Sequence, residues 1–164
     1  MGTRSGSIDP AILEYVMDKT GMNIHEMTNV LNKKSGMLGL SGVSSDFRDL
    51  EKGQEEGNDR CALARGVFVY QGRKLIASYA AAMGGVDCVV FTAGVGENDG
   101  DVRQRMVEGL EFMGIAIDPE RNKVRAKVAE LSPEGAKVKV FMIPTDEELV
   151  IARDTEAIVE GKPL

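Results

Sequence analysis

The sequence predicts an α/β fold in which several helices surround a partly parallel sheet. Three observations predict it. Apolar residues recur at helical spacing over most of the chain, a continuous β-branched run at 86–93 interrupts them, and a second strand-like run at 137–144 follows another helical stretch. At 164 residues the chain fits one domain, able to bury a core without disulfides or metals.

The elements follow in order. In "IDPAILEYVMDKTG" Asp9 is an N-cap, Pro10 takes the first helical position, Ile12, Val16 and Met17 share a face, and Gly21 stops the helix. A second helix is expected over 24–34, its apolar face formed by Ile24, Met27, Val30 and Leu31, with an end at Gly36. "MLGLSGVSSDFRDLE" reads as a glycine-punctuated loop with a short helix starting after Ser44 or Ser45, and "KGQEEGND" as a charged loop. Residues 61–85 read as one long, broadly apolar helix, either buried or at an interface. "VDCVVFTA", bounded by Gly85 and Gly94, reads as a strand covered on both faces. "VRQRMVEGLEFMG" places Val102, Met106, Leu110 and Met113 on one helical stripe, "IAID" reads as a short strand, and "KVKVFMIP" as another. The final helix starts at Thr145, with Glu148 three residues on as a capping box.

Composition excludes several function classes. The formal net charge of −6 argues against a nucleic-acid surface, which needs a basic stripe. No apolar run is long enough for a membrane span, and no basic-then-apolar leader opens the chain. Cys61 and Cys88 lack CxxC spacing and sit in apolar runs, so both are expected as buried free thiols in a reducing cytoplasm. The single histidine, His25, falls on the polar flank of its helix, a poor position for acid–base chemistry.

Three stretches offer chemistry. In "VVFTAGVGENDG" the strand runs into a turn where Gly94 and Gly96 let backbone approach a ligand, and Asn98 or Asp99 caps the next helix. From spacing alone, a nucleotide cradle and a plain strand-to-helix corner both stand. A dinucleotide fingerprint also stands, with Gly100 one residue late and Asp118 near the ribose-binding position. In "IPTDEEL" Glu147 has no capping duty, so it is either a Mg²⁺ ligand or favourable charge in a first helical turn. In "GTRSG" Arg4 is either an anion-binding guanidinium or a solvated terminal arginine. Arg48 either stacks on a base or pairs with Asp46 or Asp49.

Together, "GTRSGSIDPAI", "LNKKSGMLGLSGVSSDFRDLE", "VVFTAGVGEN", "GLEFMGIAID" and "IPTDEELVIARDT" resemble, in order and spacing, the C-terminal portion of the acetate kinase family, from Gly2 to Thr155. The resemblance implies an actin-like, sugar-kinase-like ATPase fold of ribonuclease-H-like domains, with residues 1–164 as the C-terminal nucleotide-binding domain. It implies reversible transfer of the ATP γ-phosphoryl group to acetate, giving acetyl phosphate and ADP, with Mg²⁺, in a cytoplasmic homodimer joined through this domain. By motif, Arg4 resembles the arginine that stabilises the transferring phosphoryl group, and Asp46, Phe47 and Arg48 the segment lining the adenosine pocket. Gly94, Val95, Gly96, Glu97 and Asn98 resemble the turn against adenine and ribose, and Glu147 the Mg²⁺-linked glutamate. The resemblance favours the nucleotide turn over the dinucleotide fingerprint.

The chain also departs from the family's pattern. The family's N-terminal domain, its glycine-rich phosphate loop and its functional histidines find no match here, and Ser7 stands where an aspartate is frequent. The chain alone is therefore expected to bind adenine nucleotide weakly and not to turn over, since phosphoryl transfer depends on positioning groups that it lacks. A propionate or other short-chain acyl kinase remains an alternative, as does a non-catalytic domain that self-associates through its long apolar helix.

Overall fold

A computed structural model describes residues 1–163 as two compact units, Met1–Leu75 and Ile76–Leu164. The boundary falls within one helix, and each unit has its own buried residues.

The first unit is helical. Helices α1 (Ala11–Thr20), α2 (Ile24–Lys33), α3 (Gly36–Ser41) and α4 (Phe47–Glu55) precede α5 (Asp59–Ala82), whose first part belongs to this unit. α1 begins as its sequence dictates: Asp9 Oδ1 accepts a hydrogen bond from the Ala11 amide (3.0 Å) across Pro10. Its Ile12 is exposed nonetheless. α2 opens with a capping box, in which Asn23 Oδ1 accepts from the His25 and Glu26 amides while Glu26 accepts from the Asn23 amide. The stretch expected as a loop after Gly36 is helix α3. Its low-propensity glycines are overridden because the chain's first residues hydrogen-bond to it, as described below. Met37, Leu50, Cys61 and Ala64 form the core, with Leu40, Phe47 and Phe68 packed against it. α4 and α5 approach so closely that a Cβ on Gly53 would stand 2.6 Å from the Cys61 sulfur.

The second unit carries the sheet. Strands β1 (Cys88–Phe91), β2 (Ala129–Glu130) and β3 (Lys139–Met142) lie in the order β1-β3-β2. β1 runs parallel to β3, with Val89 opposite Val140, and β2 runs antiparallel to it. β3 is central, and its Val140 and Met142 are fully buried. β1 is an edge strand, and only its Phe91 is buried. The expectation of a strand covered on both faces is thereby corrected, as is that of a buried Cys88, which is exposed. Cys61 is buried as expected.

Between β1 and β2 lie α6 (Ala93–Asn98), α7 (Gly100–Val107) and a 3₁₀ turn (Glu111–Met113). Val102, Met106, Val107 and Leu110 point into the core with Ile115, Ile117 and Leu131. Residues 115–118 form no strand. Their alternation is real, since Ile115 and Ile117 are buried, but this backbone does not join the sheet ladder and meets the neighbouring segment through the Asp118 amide, which donates to the Leu131 carbonyl (2.8 Å). α8 (Glu147–Val159) closes the described chain and has no buried residue. Among the described residues no helix is long and apolar enough to cross a membrane.

Candidate functional site

In the first unit the opening residues are held by their backbone. Met37, Leu38 and Ser35 donate their amides to the carbonyls of Met1 (3.1 Å), Gly2 (3.0 Å) and Thr3 (2.9 Å), and Ser5 donates to the Leu31 carbonyl (2.8 Å). Gly36 permits this crossing. Its φ is +62°, and a Cβ there would collide with the Met1 carbonyl and lie 2.7 Å from that of Arg4. Arg4 is thus placed by its main chain while its side chain is exposed. Among the described residues no hydrogen bond or ion pair holds its guanidinium. With Met1, Gly2, Thr3 and Ser45 it lines an open concavity of about 430 Å³.

Ser45 leads into the start of α4. Asp46 is its N-cap, with Oδ1 accepting from the Arg48 amide (2.9 Å). The same carboxylate takes a two-pronged bond from the Arg48 side chain, Nε to Oδ1 at 3.1 Å and Nη2 to Oδ2 at 2.6 Å. The Arg48 guanidinium, then its amide, hold the Asp46 carboxyl down at a pKa of about 2. Of the two fates open to Arg48, the structure has the pairing one. The Phe47 ring packs edge-on against Phe68, centroids 4.6 Å apart.

In the second unit the glycine turn is the short helix α6 rather than an open loop. Ala93 enters it at φ +59°. The two glycines do different work. No heavy atom lies within 4 Å of where a Gly94 Cβ would be, so this face of the turn is open. A Cβ on Gly96 would stand 3.2 Å from the Phe91 backbone, so Gly96 serves close packing on the end of β1. Asn98 Nδ2 donates to the Gly94 carbonyl (2.9 Å), and Val95 is half-buried. Asp99, not Asn98, caps α7, accepting from the Val102 amide (2.9 Å).

Glu97 Oε1 accepts from both the amide (2.9 Å) and the hydroxyl (3.0 Å) of Thr145, and these bonds, the amide first, hold its carboxyl below the usual range. The glycine turn and the segment before α8 are therefore joined across 48 residues. This bond also undoes the expected capping box. Thr145 is engaged by Glu97, and Asp146 caps α8 instead, accepting from the Leu149 amide (3.0 Å). Glu147 stands exposed in the first turn. No group of three or more metal-type side chains occurs among the described residues. A lone carboxylate suits a magnesium ion that keeps waters and phosphate oxygens as its other ligands.

The dinucleotide reading fails on geometry. Gly94 and Gly96 lie in a helix, a Cβ on Gly100 would press on the Asn122 carbonyl at 3.3 Å, and Asp118 Oδ1 is taken by the Glu120 (2.8 Å) and Arg121 (3.1 Å) amides.

Sequence reasoning missed Arg103. It is fully buried and donates to the carbonyls of Gly96 (2.8 Å), Asn122 (2.8 Å) and Val124 (2.9 Å) and to Asn122 Oδ1 (2.8 Å). Burial draws its pKa below the ordinary value, against the pull of Asp99. The signal was present, because Arg103 falls on the same helical stripe as Val102, Met106 and Leu110. The Thr145 hydroxyl and Gly36 had no local signal, since their partners are remote in sequence.

The family model described as the acetokinase family matches residues 1–153. The chain is 58% identical over 160 residues to the acetate kinase of Treponema denticola, covering 98% of this chain and 40% of that protein. It is similar to the crystal structure of Porphyromonas gingivalis acetate kinase, with a TM-score of 0.92 and 46% identity over 97% of this chain and 40% of that one. It is also similar to that of a propionate kinase from Francisella tularensis, with a TM-score of 0.84 and 36% identity over 93% of this chain and 38% of that one. The chain thus spans about 40% of the length of the curated relatives it matches. The resemblance read in the motifs and the actin-like ATPase fold it implied are both upheld, and the chain belongs to the acetokinase family.

Proposed function

We propose that residues 1–164 are the C-terminal nucleotide-binding domain of a kinase that reversibly transfers the γ-phosphoryl group of ATP to acetate, giving acetyl phosphate and ADP. The observation that carries the reading is the identity to an acetate kinase along almost the whole chain. The open face at Gly94, on a turn held firmly from beneath, supports it, because a flat base or ribose needs an unobstructed backbone surface.

In this reading the acetate oxygen forms a bond to the γ-phosphorus as the bond to the β,γ-bridging oxygen breaks, and ADP leaves. Acetate is already anionic, so no proton has to be removed from it. Arg4 offers guanidinium donors to the equatorial oxygens, where charge is concentrated in the transition state. Gly94, Val95 and Asn98 present the surface for adenine and ribose. Gly96 and Glu97 hold that surface to β1 and to Thr145. The Asp46–Arg48 pair and Phe47 form the start of α4, beside the Arg4 concavity. Glu147 would hold Mg²⁺. When bound, Mg²⁺ neutralises phosphate charge. The whole protein works in the cytoplasm as a homodimer joined through this domain, and the chain alone does not turn over. A propionate kinase is the second reading, favoured by the similarity to the Francisella tularensis structure.

Calorimetric titration of the chain with ADP and magnesium tests the nucleotide reading. Binding is expected to disappear in Gly94→Gln with the melting temperature unchanged, whereas Gly96→Ala lowers the melting temperature by crowding β1. Equal affinity in Gly94→Gln would remove this face from the site, and acetyl phosphate formation by the chain alone would overturn its role as a partial domain.

A further inference from the structure

The buried polar cluster beneath the glycine turn is the least expected feature of the second unit. A guanidinium with no exposed surface must satisfy its donors from the protein, because an unmet buried donor costs about 1–3 kcal/mol. Among the described residues Arg103 donates its hydrogen bonds to amide oxygens and not to a carboxylate. Two of its bonds meet Asn122, which is itself buried, and Asn122 Nδ2 donates onward to the Gly100 carbonyl (2.8 Å). The pair therefore grips the carbonyls of Gly96 and Gly100, which bracket Glu97, Asn98 and Asp99. Because the same guanidinium also holds the carbonyls of Asn122 and Val124, the turn is tied to the 122–124 segment. The open Gly94 position lies on the same six-residue helix as Gly96.

We propose that Arg103, acting with Asn122, is the positioning residue of the nucleotide turn: it fixes the path of residues 96–100 so that the Gly94 face is preformed before a nucleotide arrives. Arg103 touches no substrate in this role. The inference rests on the reading of residues 94–98 as the adenosine surface. A preformed surface spares the binding step the cost of ordering backbone, so loss of the brace appears in nucleotide affinity before it appears in fold. Lysine cannot replace it, because one ammonium cannot span carbonyls that a planar fork reaches from separate edges.

The test uses the 164-residue chain with two readouts, hydrogen exchange at the amides of residues 94–102 and calorimetric affinity for ADP with magnesium. The variants are Arg103→Lys, Arg103→Ala and Asn122→Ala, with Leu131→Ala as a core control in the same unit. At temperatures set equally far below each melting point, the Arg103 and Asn122 variants are expected to exchange faster at 94–102. They are also expected to bind ADP about tenfold more weakly or worse, while the control keeps both properties. Millimolar guanidinium is expected to restore part of the affinity to Arg103→Ala and to leave that of the control unchanged. Unchanged exchange at 94–102, or affinity lost equally in Leu131→Ala, would overturn the positioning role. Failure of the unsubstituted chain to bind ADP would instead overturn the nucleotide reading of this chain, and the exchange data would still decide whether Arg103 holds the turn. Should Arg103→Ala not fold, Asn122→Ala, which keeps the charge and removes its acceptor, carries the same decision.

Discussion

The Arg4 segment and the glycine turn solve the same problem by opposite means. Residues 1–5 are fixed by main-chain hydrogen bonds across Gly36, and among the described residues nothing tethers the Arg4 side chain. Residues 94–100 are fixed by side chains, with Arg103 and Asn122 beneath and Glu97 reaching Thr145 at the flank. The difference fits the ligands proposed for each. A transferring phosphoryl group changes shape and charge during the reaction, and an exposed guanidinium on a fixed stem leaves its donors available to it. Adenosine remains unaltered, so a rigid floor suits it.

The largest expected effect separates chemistry from scaffold on the Arg4 side. When the chain is joined to the N-terminal portion of an acetate kinase, Arg4→Ala is predicted to lower the rate of acetyl phosphate formation by about 10²–10³-fold. Its melting temperature should not move, because nothing in the described structure leans on that side chain. A drop in stability comparable to the loss of rate would mean that Arg4 is structural, and the contrast would collapse.

The backbone hold itself is tested by Gly36→Ala. It combines a left-handed φ with a collision against the Met1 carbonyl, and is expected to destabilise the first unit by about 2–4 kcal/mol in urea unfolding. Gly21→Ala shares the positive φ, +71°, but its Cβ would meet nothing, so it should cost only about 1–2 kcal/mol. Equal costs would show that backbone conformation alone matters and that the crossing of residues 1–4 over α3 contributes nothing.

Legibility in the sequence followed how far each residue's partner lies along the chain. The long helix, the β1 and β3 strands, the Asp9 start and the Met106 stripe were readable because periodicity and capping are local. Helix α3 was not, because its glycines speak against helix and the bonds that stabilise it come from residues 1–3. The α8 cap was read at Thr145 and found at Asp146, because Glu97, distant in sequence, had taken the threonine. Cys88 looked buried by its neighbours, but sequence does not reveal that its strand lies at a sheet edge. For the proposed site, the motifs only nominated stretches. They did not distinguish Gly94, which faces open space, from Gly96, which faces the end of β1.

The smallest effect concerns pH. Asp46 titrates near 2, below its ordinary 3.8, because Arg48 holds its charged form. A depressed folded value means that the pair's contribution is complete above the ordinary value and is lost as pH falls from there through about 2. A carboxyl-detected NMR titration should give Asp46 a midpoint near 2, moving up toward 3.8 in Arg48→Ala. An unmoved midpoint would assign the shift to the helix start instead.

The grip on residues 96–100 also bears on how the molecule ages. Asp99–Gly100 is the pairing at which a side-chain carboxyl most readily closes on the following backbone nitrogen, giving a succinimide that reopens as a β-linked chain. Here the Asp99 carboxylate is held by the Val102 amide and the Gly100 carbonyl by Asn122, so the rotation that closure requires is opposed at both residues. Residues that keep the turn in shape from moment to moment thereby also set its chemical shelf life, and a loosened turn would leave a slowly accumulating covalent record of its motion.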